Sequence, residues 1–369
     1  MDTQHHAVCD FGGGAPAIHA DGVTYVVLSG LPGAGKSQIA APLARALGLG
    51  IFAKDPVKET LWDSLRGAND LEWSRLLGQA ANEVVVSVAA ANAGGVLDSF
   101  WRHEWAADAL GNLPGPVIEV FCACPLEEAR RRYTDRVRHA AHMDAPRADD
   151  PDLWGDLRNS PLFEDALVVD TTAAVDVPAL AASIRADRRW EAPPELDRPI
   201  LVVMTGLPGT GKSAVAAALS AATGAVVVAH DITEAALLRT GLERGGGPVA
   251  PAYDIIHTLA REQLRSGKSV ILDSVVGRSR FRDAQLAIAN DLGVPLVVIE
   301  CVCSDEALHR ERLETRRRDI PGWYEPDWAE VERIASFFEP WSIDHLVLDA
   351  VDPLADNVGR AVATVYAVT

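Results

Sequence analysis

Gly30-Leu31-Pro32-Gly33-Ala34-Gly35-Lys36-Ser37 fits the pattern G-x-x-x-x-G-K-[ST], and the pattern returns as Gly206-Leu207-Pro208-Gly209-Thr210-Gly211-Lys212-Ser213. Each copy reads as a phosphate-binding loop. Glycines let the backbone curl until successive N–H groups point inward as a nest for phosphate oxygens. In the first copy Gly30, Gly33, Ala34 and Gly35 form that nest, and in the second Gly206, Gly209, Thr210 and Gly211. The helix that follows offers unpaired N-terminal donors and the positive end of its dipole. Lys36 and Lys212 are placed to reach the outer phosphates, and the hydroxyls of Ser37 and Ser213 to sit on Mg²⁺. An apolar run leads into each loop, over residues 23–28 and 200–204. Two such matches, each with its strand, exclude a stray glycine-rich turn.

Outward from the first loop the elements alternate. The helix after Lys36 carries Ile39, Ala40, Leu43, Ala44 and Leu47 at helical spacing and stops at Gly48. A short strand follows at residues 51–53, then a long alanine-rich helical region from about 59 to 92. Further strands are expected over residues 96–98, 117–122 and 167–169, the fourth followed by an arginine-studded helix. The order restarts after 199, with a helical hairpin broken at Gly245-Gly246-Gly247. Lys36 to Lys212 and Asp55 to Asp231 are both 176 residues apart, Asp98 to Asp273 175 and Asp170 to Asp349 179. A whole domain is duplicated. The expected fold is α/β, two tandem domains each with a parallel sheet covered by helices on both faces. Residues 1–22 read as a loose tail, 23–184 as the first domain, 185–198 as a proline-bearing linker and 199–369 as the second domain.

The totals narrow the partners. A net charge of −18 spread over both halves argues against a nucleic-acid or anionic-membrane surface, since both need a basic field. No apolar run approaches the roughly 18 residues of a spanning helix, and the N-terminus lacks the pattern of a secretory signal. Five cysteines in 369 residues are no disulfide framework, so the cytoplasm is the expected compartment. Cys122-x-Cys124 and Cys301-x-Cys303 read as strand packing, because two thiols do not complete a zinc site.

A parallel sheet delivers the last residue of every strand to one rim. Asp98 and Asp273 close apolar strands there and are placed to hold Mg²⁺ beside Ser37 and Ser213; a solvated strand-end aspartate is the alternative. Asp55 and Asp231 close the second strand, where an acid can accept the proton of an attacking hydroxyl. An aspartate before Pro56 is equally a good helix start. Arg132 with Arg136, and Arg312 with Arg316, fall four apart on a helix face and are placed to close over the phosphates; their glutamate neighbours leave a solvated face open. His139 and His142 read as surface residues, with a lid or substrate contact as the alternative. The tryptophans from 101 to 105 suit either a substrate pocket or aromatic packing.

With loop, strand-end acids and arginines in place, each half resembles the small P-loop kinase group, which includes gluconate kinase, the kinase module of polynucleotide kinase, chloramphenicol phosphotransferase and the zeta-type toxins. The resemblance implies a five-stranded sheet ordered 2-3-1-4-5 with a helical lid, and ATP-dependent transfer to a hydroxyl. It implies acceptor contact by Asp55 and Asp231, and a lid role for Arg132, Arg136, Arg312 and Arg316. The chain is thus expected to be an ATP- and Mg²⁺-dependent kinase of a small molecule with two nucleotide sites. The alternative is a nucleotide-dependent switch in which one or both halves transfer nothing. No guanine signature N-K-x-D occurs, which favours adenine. Packing of the halves as a pseudo-dimer, and the oligomeric state, are open.

Overall fold

The computed structural model describes residues 24–65, 67–155, 159–242, 249–318 and 320–369, with the side chains of residues 249 and 250 excepted. The expected tail at 1–22 and the break at Gly245-Gly246-Gly247 lie outside these residues. The first half runs β1 (Tyr25–Ser29), α1 (Lys36–Leu47), β2 (Ile51–Ala53), α2 (Lys54–Ser64), α3 (Leu71–Ala90), β3 (Gly95–Asp98), α4 (His103–Gly111), β4 (Val117–Ala123), α5 (Leu126–Asp135), α6 (Asp144–Arg147), α7 (Pro151–Trp154), β5 (Leu167–Asp170) and α8 (Val177–Arg185). The second runs β6 (Leu201–Thr205), α9 (Lys212–Thr223), β7 (Val226–Ala229), α10 (His230–Arg239), α11 (Val249–Arg265), β8 (Val270–Asp273), α12 (Ser279–Leu292), β9 (Leu296–Val302), α13 (Glu306–Thr315), α14 (Trp328–Ala335), β10 (Leu346–Asp349) and α15 (Leu354–Tyr366).

Each half holds a five-stranded sheet, ordered β2-β3-β1-β4-β5 and β7-β8-β6-β9-β10, so the expected order 2-3-1-4-5 occurs twice. Every pairing is parallel, with Leu28 level with Asp98 and Met204 level with Asp273. The central strands are buried along their whole length, which is why they read as unbroken apolar runs. β1 and β6 sit where the order reverses, so each loop opens at the crevice beyond the strand ends. The helical region expected over residues 59–92 consists of two helices, α2 and α3. The chain leaves α2 at Leu65, and Asp70 starts α3 by accepting the Trp73 amide at 2.8 Å. An N-cap aspartate starts the second helix after the chain has left the first at its extended C-cap Leu65.

The two sheets meet at their β2 and β7 edges through side-chain amides. Asn92, beyond α3, accepts the Val227 N–H at 2.7 Å and donates to the Val227 carbonyl at 2.9 Å. Gln263, on α11, accepts the Ile51 N–H at 2.8 Å and donates to the Ile51 carbonyl. Each carboxamide thus stands in for a neighbouring strand on the other half's exposed edge. Around these brackets the helices α2 and α3 pack on α10 and α11. One apolar cluster runs through the joint, from Leu61, Leu77, Val84 and Val88 to Leu237, Ile255, Ile256 and Leu259. A second and a third cluster fill the outer sides of the two sheets. Residues 185–200 between the domains are tied down: Arg189 pairs with Asp187 and Asp165 and donates to the Val117 carbonyl at 3.0 Å.

Replacing Asn92 by Ala strips both partners from a buried edge residue, and should cost about 2–4 kcal/mol. Urea unfolding followed by far-UV circular dichroism would measure it, and a loss below about 0.5 kcal/mol would show that the bracket is dispensable.

Candidate active site

The loops form as their sequences require. Gly30 and Gly206 have φ of 123° and 132°, and a Cβ at either would come within 2.7 Å and 2.1 Å of the Cys122 and Cys301 carbonyl oxygens. Only glycine lets the loop lie this close to the end of β4 or β9. That contact also gives the recurring cysteines their place: Cys122 and Cys301 are buried at the strand ends, with thiols pushed by burial up to about 12. Among the described residues no group of three His, Cys, Asp or Glu side chains gathers as a metal site.

Lys36 lies across its own loop, donating to the Gly30 and Leu31 carbonyls at 2.8 and 2.9 Å, and Lys212 donates to the Leu207 carbonyl at 2.9 Å. Burial pulls both ammonium groups down, against the pull of Asp98 on Lys36 and of Asp273 on Lys212. Asp98 and Asp273 are 8% and 7% exposed, so they are not solvated strand ends. Burial pushes both carboxyls up, while the loop lysine and a hydrogen bond from Ser37 or Ser213 draw them back. A hydroxyl and a carboxylate in contact at the mouth of a phosphate loop fit Mg²⁺, which takes one or two protein oxygens and leaves the rest to phosphates and water.

Asp55 and Asp231 lie in the first turns of α2 and α10, whose N-caps are Ala53 and Ala229 and carry no side-chain cap. The helix-start explanation of these acids is therefore removed. Asp55 lies 3.3 Å from Arg138 and 3.9 Å from Lys54, and Asp231 pairs with Arg318. Burial pushes the Asp55 carboxyl up, but Lys54, Arg138 and His142 outweigh it and hold it below the usual carboxylate range. Asp231 is held low in the same way by His230 and Arg318.

The arginines require a correction. α5 ends at Asp135 and α13 at Thr315, so Arg136 and Arg316 are extended residues beyond the helix and share no helix face with Arg132 and Arg312. The chain turns there because Arg136 reaches Asp144 at 3.1 Å and Arg316 reaches Glu325 at 2.9 Å. Arg132 pairs with Glu128 and donates to the Thr171 carbonyl, and Arg312 donates to the Ala350 carbonyl. Both fasten their helix to the loop after the last strand. The arginines on the rim acids are instead Arg138 and Arg318, two residues further on, each also near Asp144 or Glu325. The repeat of R-x-R at 136–138 and 316–318 was the available signal. His142, expected at the surface, is 3% exposed with Nε2 2.8 Å from Glu59. Trp101 is buried and donates to the Leu28 carbonyl, while Trp105 lines the cavity.

That cavity, about 1900 Å³, is lined by Lys36, Ser37, Asp55, Asp98 and Arg138 of the first half, and by Ser213, Asp231, Asp273 and Arg318 of the second. Both rims therefore open into one space. Two open parallel sheets, each with a phosphate loop at its switch point, define a duplicated P-loop domain. A family model described as an AAA domain matches residues 26–149 and again 201–340, and the chain belongs to that family. It is similar to the gluconokinase of Sinorhizobium meliloti 1021 (18% identity, 46% of this chain and 96% of that one, TM-score 0.35). It is also similar to the APS kinase of Mycobacterium tuberculosis in complex with AMPPNP and APS (17%, 47% and 99%, 0.34). A third is Kti12 of Chaetomium thermophilum in complex with ADP-AlF3 (20%, 46% and 98%, 0.36). No curated protein sequence matches the chain. No described helix is long and apolar enough to cross a membrane.

The low carboxyl of Asp231 gives a pH signature. Its folded pKa lies below the unfolded value, near 4, so the unfolded chain binds more protons and stability rises with pH in that range. The contribution is complete above about pH 5 and is lost as pH falls through the depressed folded value. Arg318→Met should raise the Asp231 carboxyl and flatten the fall in stability below about pH 5. Urea unfolding across pH, with carboxyl-carbon NMR of Asp231, would show this; an unchanged titration would remove Arg318 as its partner.

Proposed function

We propose that the chain is an ATP-dependent phosphotransferase that moves the γ-phosphoryl of Mg·ATP to a hydroxyl of a small molecule, with a nucleotide site in each half. The observation that carries this reading is the acid–arginine pair on the rim, Asp55 with Arg138 and Asp231 with Arg318, repeated around each loop lysine. A nucleotide switch has no use for an acid placed to meet an acceptor. When bound, Mg²⁺ would neutralise charge on the phosphates, with Ser37 and Asp98, or Ser213 and Asp273, as its protein ligands.

The chain's own groups position the rest. Loop amides and Lys36 or Lys212 hold the outer phosphates. Asp55 and Asp231, ionised at neutral pH, accept a hydrogen bond from the acceptor hydroxyl and orient it. As the acceptor oxygen bonds to the γ-phosphorus, the bond to the bridging oxygen breaks, ADP leaves and the hydroxyl proton passes to the carboxylate. Arg138 and Arg318 sit where they restrain that carboxylate and face charge developing in transfer. The acidic chain favours a small acceptor over a nucleic acid. The cytoplasm is the proposed compartment.

A regulatory second half is the other reading, favoured by one observation: Lys212, Arg312 and Arg316 do not line the cavity that Lys36, Arg132 and Arg136 line. Incubation with γ-labelled ATP and a metabolite extract, followed by mass spectrometry, separates the two. Asp55→Asn and Lys36→Ala should each lower transfer by about 10²–10⁴-fold, and Asp231→Asn and Lys212→Ala should do the same for the product of the second half. Full transfer in both Asp→Asn variants would sink the mechanism. Loss from the first-half variants alone would make the second half regulatory.

A further inference from the structure

The two halves match in backbone at the rim but not in charge. α2 and α10 each begin on the residue after an inner edge strand, so Lys54 corresponds to His230, Asp55 to Asp231 and Lys58 to Glu234. We propose that the first half is built for a hydroxyl compound bearing an oxyanion group (phosphate, sulfate or carboxylate) held by Lys54 and Lys58, and that the second half rejects such a group. The inference rests on Asp55 being the acceptor acid and names the substrate class of that site.

Lys58 is the decisive residue. It is 3% exposed, yet it lines the cavity with Lys54, Asp55, Arg138 and Arg147. Its Nζ donates to Ser74 Oγ at 2.8 Å, and that hydroxyl donates onward to the Ala141 carbonyl at 2.6 Å. Both partners are neutral, and among the described residues no carboxylate lies within ion-pair distance of Lys58. Burial first, then Lys54, Arg147 and Arg138, bring its ammonium down to about 7, with Asp55 pulling the other way. Asp144 answers Arg136 and Arg138, and Asp150 faces Arg147 and Arg75. Among the described residues that leaves the two lysines Asp55, which Arg138 also holds, and Asp98 acting on Lys54. A buried ammonium beside like charges is costly until an anion joins it. Gly78 of α3 lines the cavity beside Lys58, and a Cβ there would stand 3.8 Å from the Lys58 Nζ.

In the second half the same turn carries Glu234, 2% exposed, with His230 Nδ1 3.8 Å from its carboxylate. His230 also packs against Tyr253 at 4.3 Å. An oxyanion beside Asp231 would find Arg318 already paired with that acid and a second carboxylate, Glu234, buried one turn further along α10, where in the first half the same turn carries Lys54 and Lys58. Like-charge juxtaposition of this kind excludes a ligand as effectively as a clash.

The test is inorganic phosphate titrated by calorimetry into the whole chain after both loops are filled with Mg·AMP-PNP. One phosphate per chain is expected. Lys58→Met and Lys54→Met should each weaken it at least about tenfold, the size of one charge-assisted hydrogen bond. Lys58→Met should also keep or raise the melting temperature, since it removes a buried charge; a lysine kept only for its bond to Ser74 would lower it. Equal affinity in both variants, two phosphates per chain, or no binding at millimolar phosphate would overturn the inference. Failure of AMP-PNP to bind in the first step would instead strike the kinase reading and take this one with it.

Discussion

A strand at the edge of a sheet has N–H and C=O groups that must find partners. In each half one edge, β5 or β10, faces solvent, where Val168 and Val347 stand exposed. The other edge, β2 or β7, is turned inward and buried, and water cannot serve it. A primary amide carries one acceptor and a donor pair in the geometry of a peptide unit, so Asn92 and Gln263 fill that need with no sixth strand. Each amide comes from the opposite half. Satisfying the edges therefore brings the halves together and fixes which surfaces of α2, α3, α10 and α11 share a core.

The same joint shapes the chemistry. The rim acids lie in the first turns of the helices that leave the joined edges, and the loops flank them, so joining the edges brings both rims to one cavity. Asp98, Asp273, Lys36 and Lys58 are buried at its walls, and each charge depends on its neighbours. The carboxyls of Asp98 and Asp273 are pushed up by burial, whereas Asp55 is held down by Lys54, Arg138 and His142, and Asp231 by His230 and Arg318. One rim thus offers two kinds of carboxylate a short way apart: one tuned by the loop lysine and serine, the other kept ionised beside the cations at the helix start.

The duplication and the rim acids were legible because they rest on local signals: apolar runs, glycine loops and constant spacing; the strand order was implied only by the resemblance those signals carry. What escaped rests on contacts between distant residues. Nothing in RRRYTDRVR marks a helix end at Asp135; the stop comes from Arg136 turning to meet Asp144. Lys58 looks like an ordinary solvated lysine of an amphipathic helix until α3 covers it. Asn92 reads as a helix terminator, and its second task on Val227 appears only when the other half is present. His142 follows a polar stretch and is buried only because it docks on Glu59.

The bracket on β2 has a consequence for synthesis. Ile51 and Gln263 are 212 positions apart, so at 5–20 residues per second the first half leaves the ribosome roughly 10–40 s before its edge can be covered. Throughout that interval an open strand and the apolar faces of α2 and α3 are available to any neighbouring nascent chain. The order of the two copies along the messenger therefore decides which of them must endure this wait, and translation speed through the second copy sets how long it lasts.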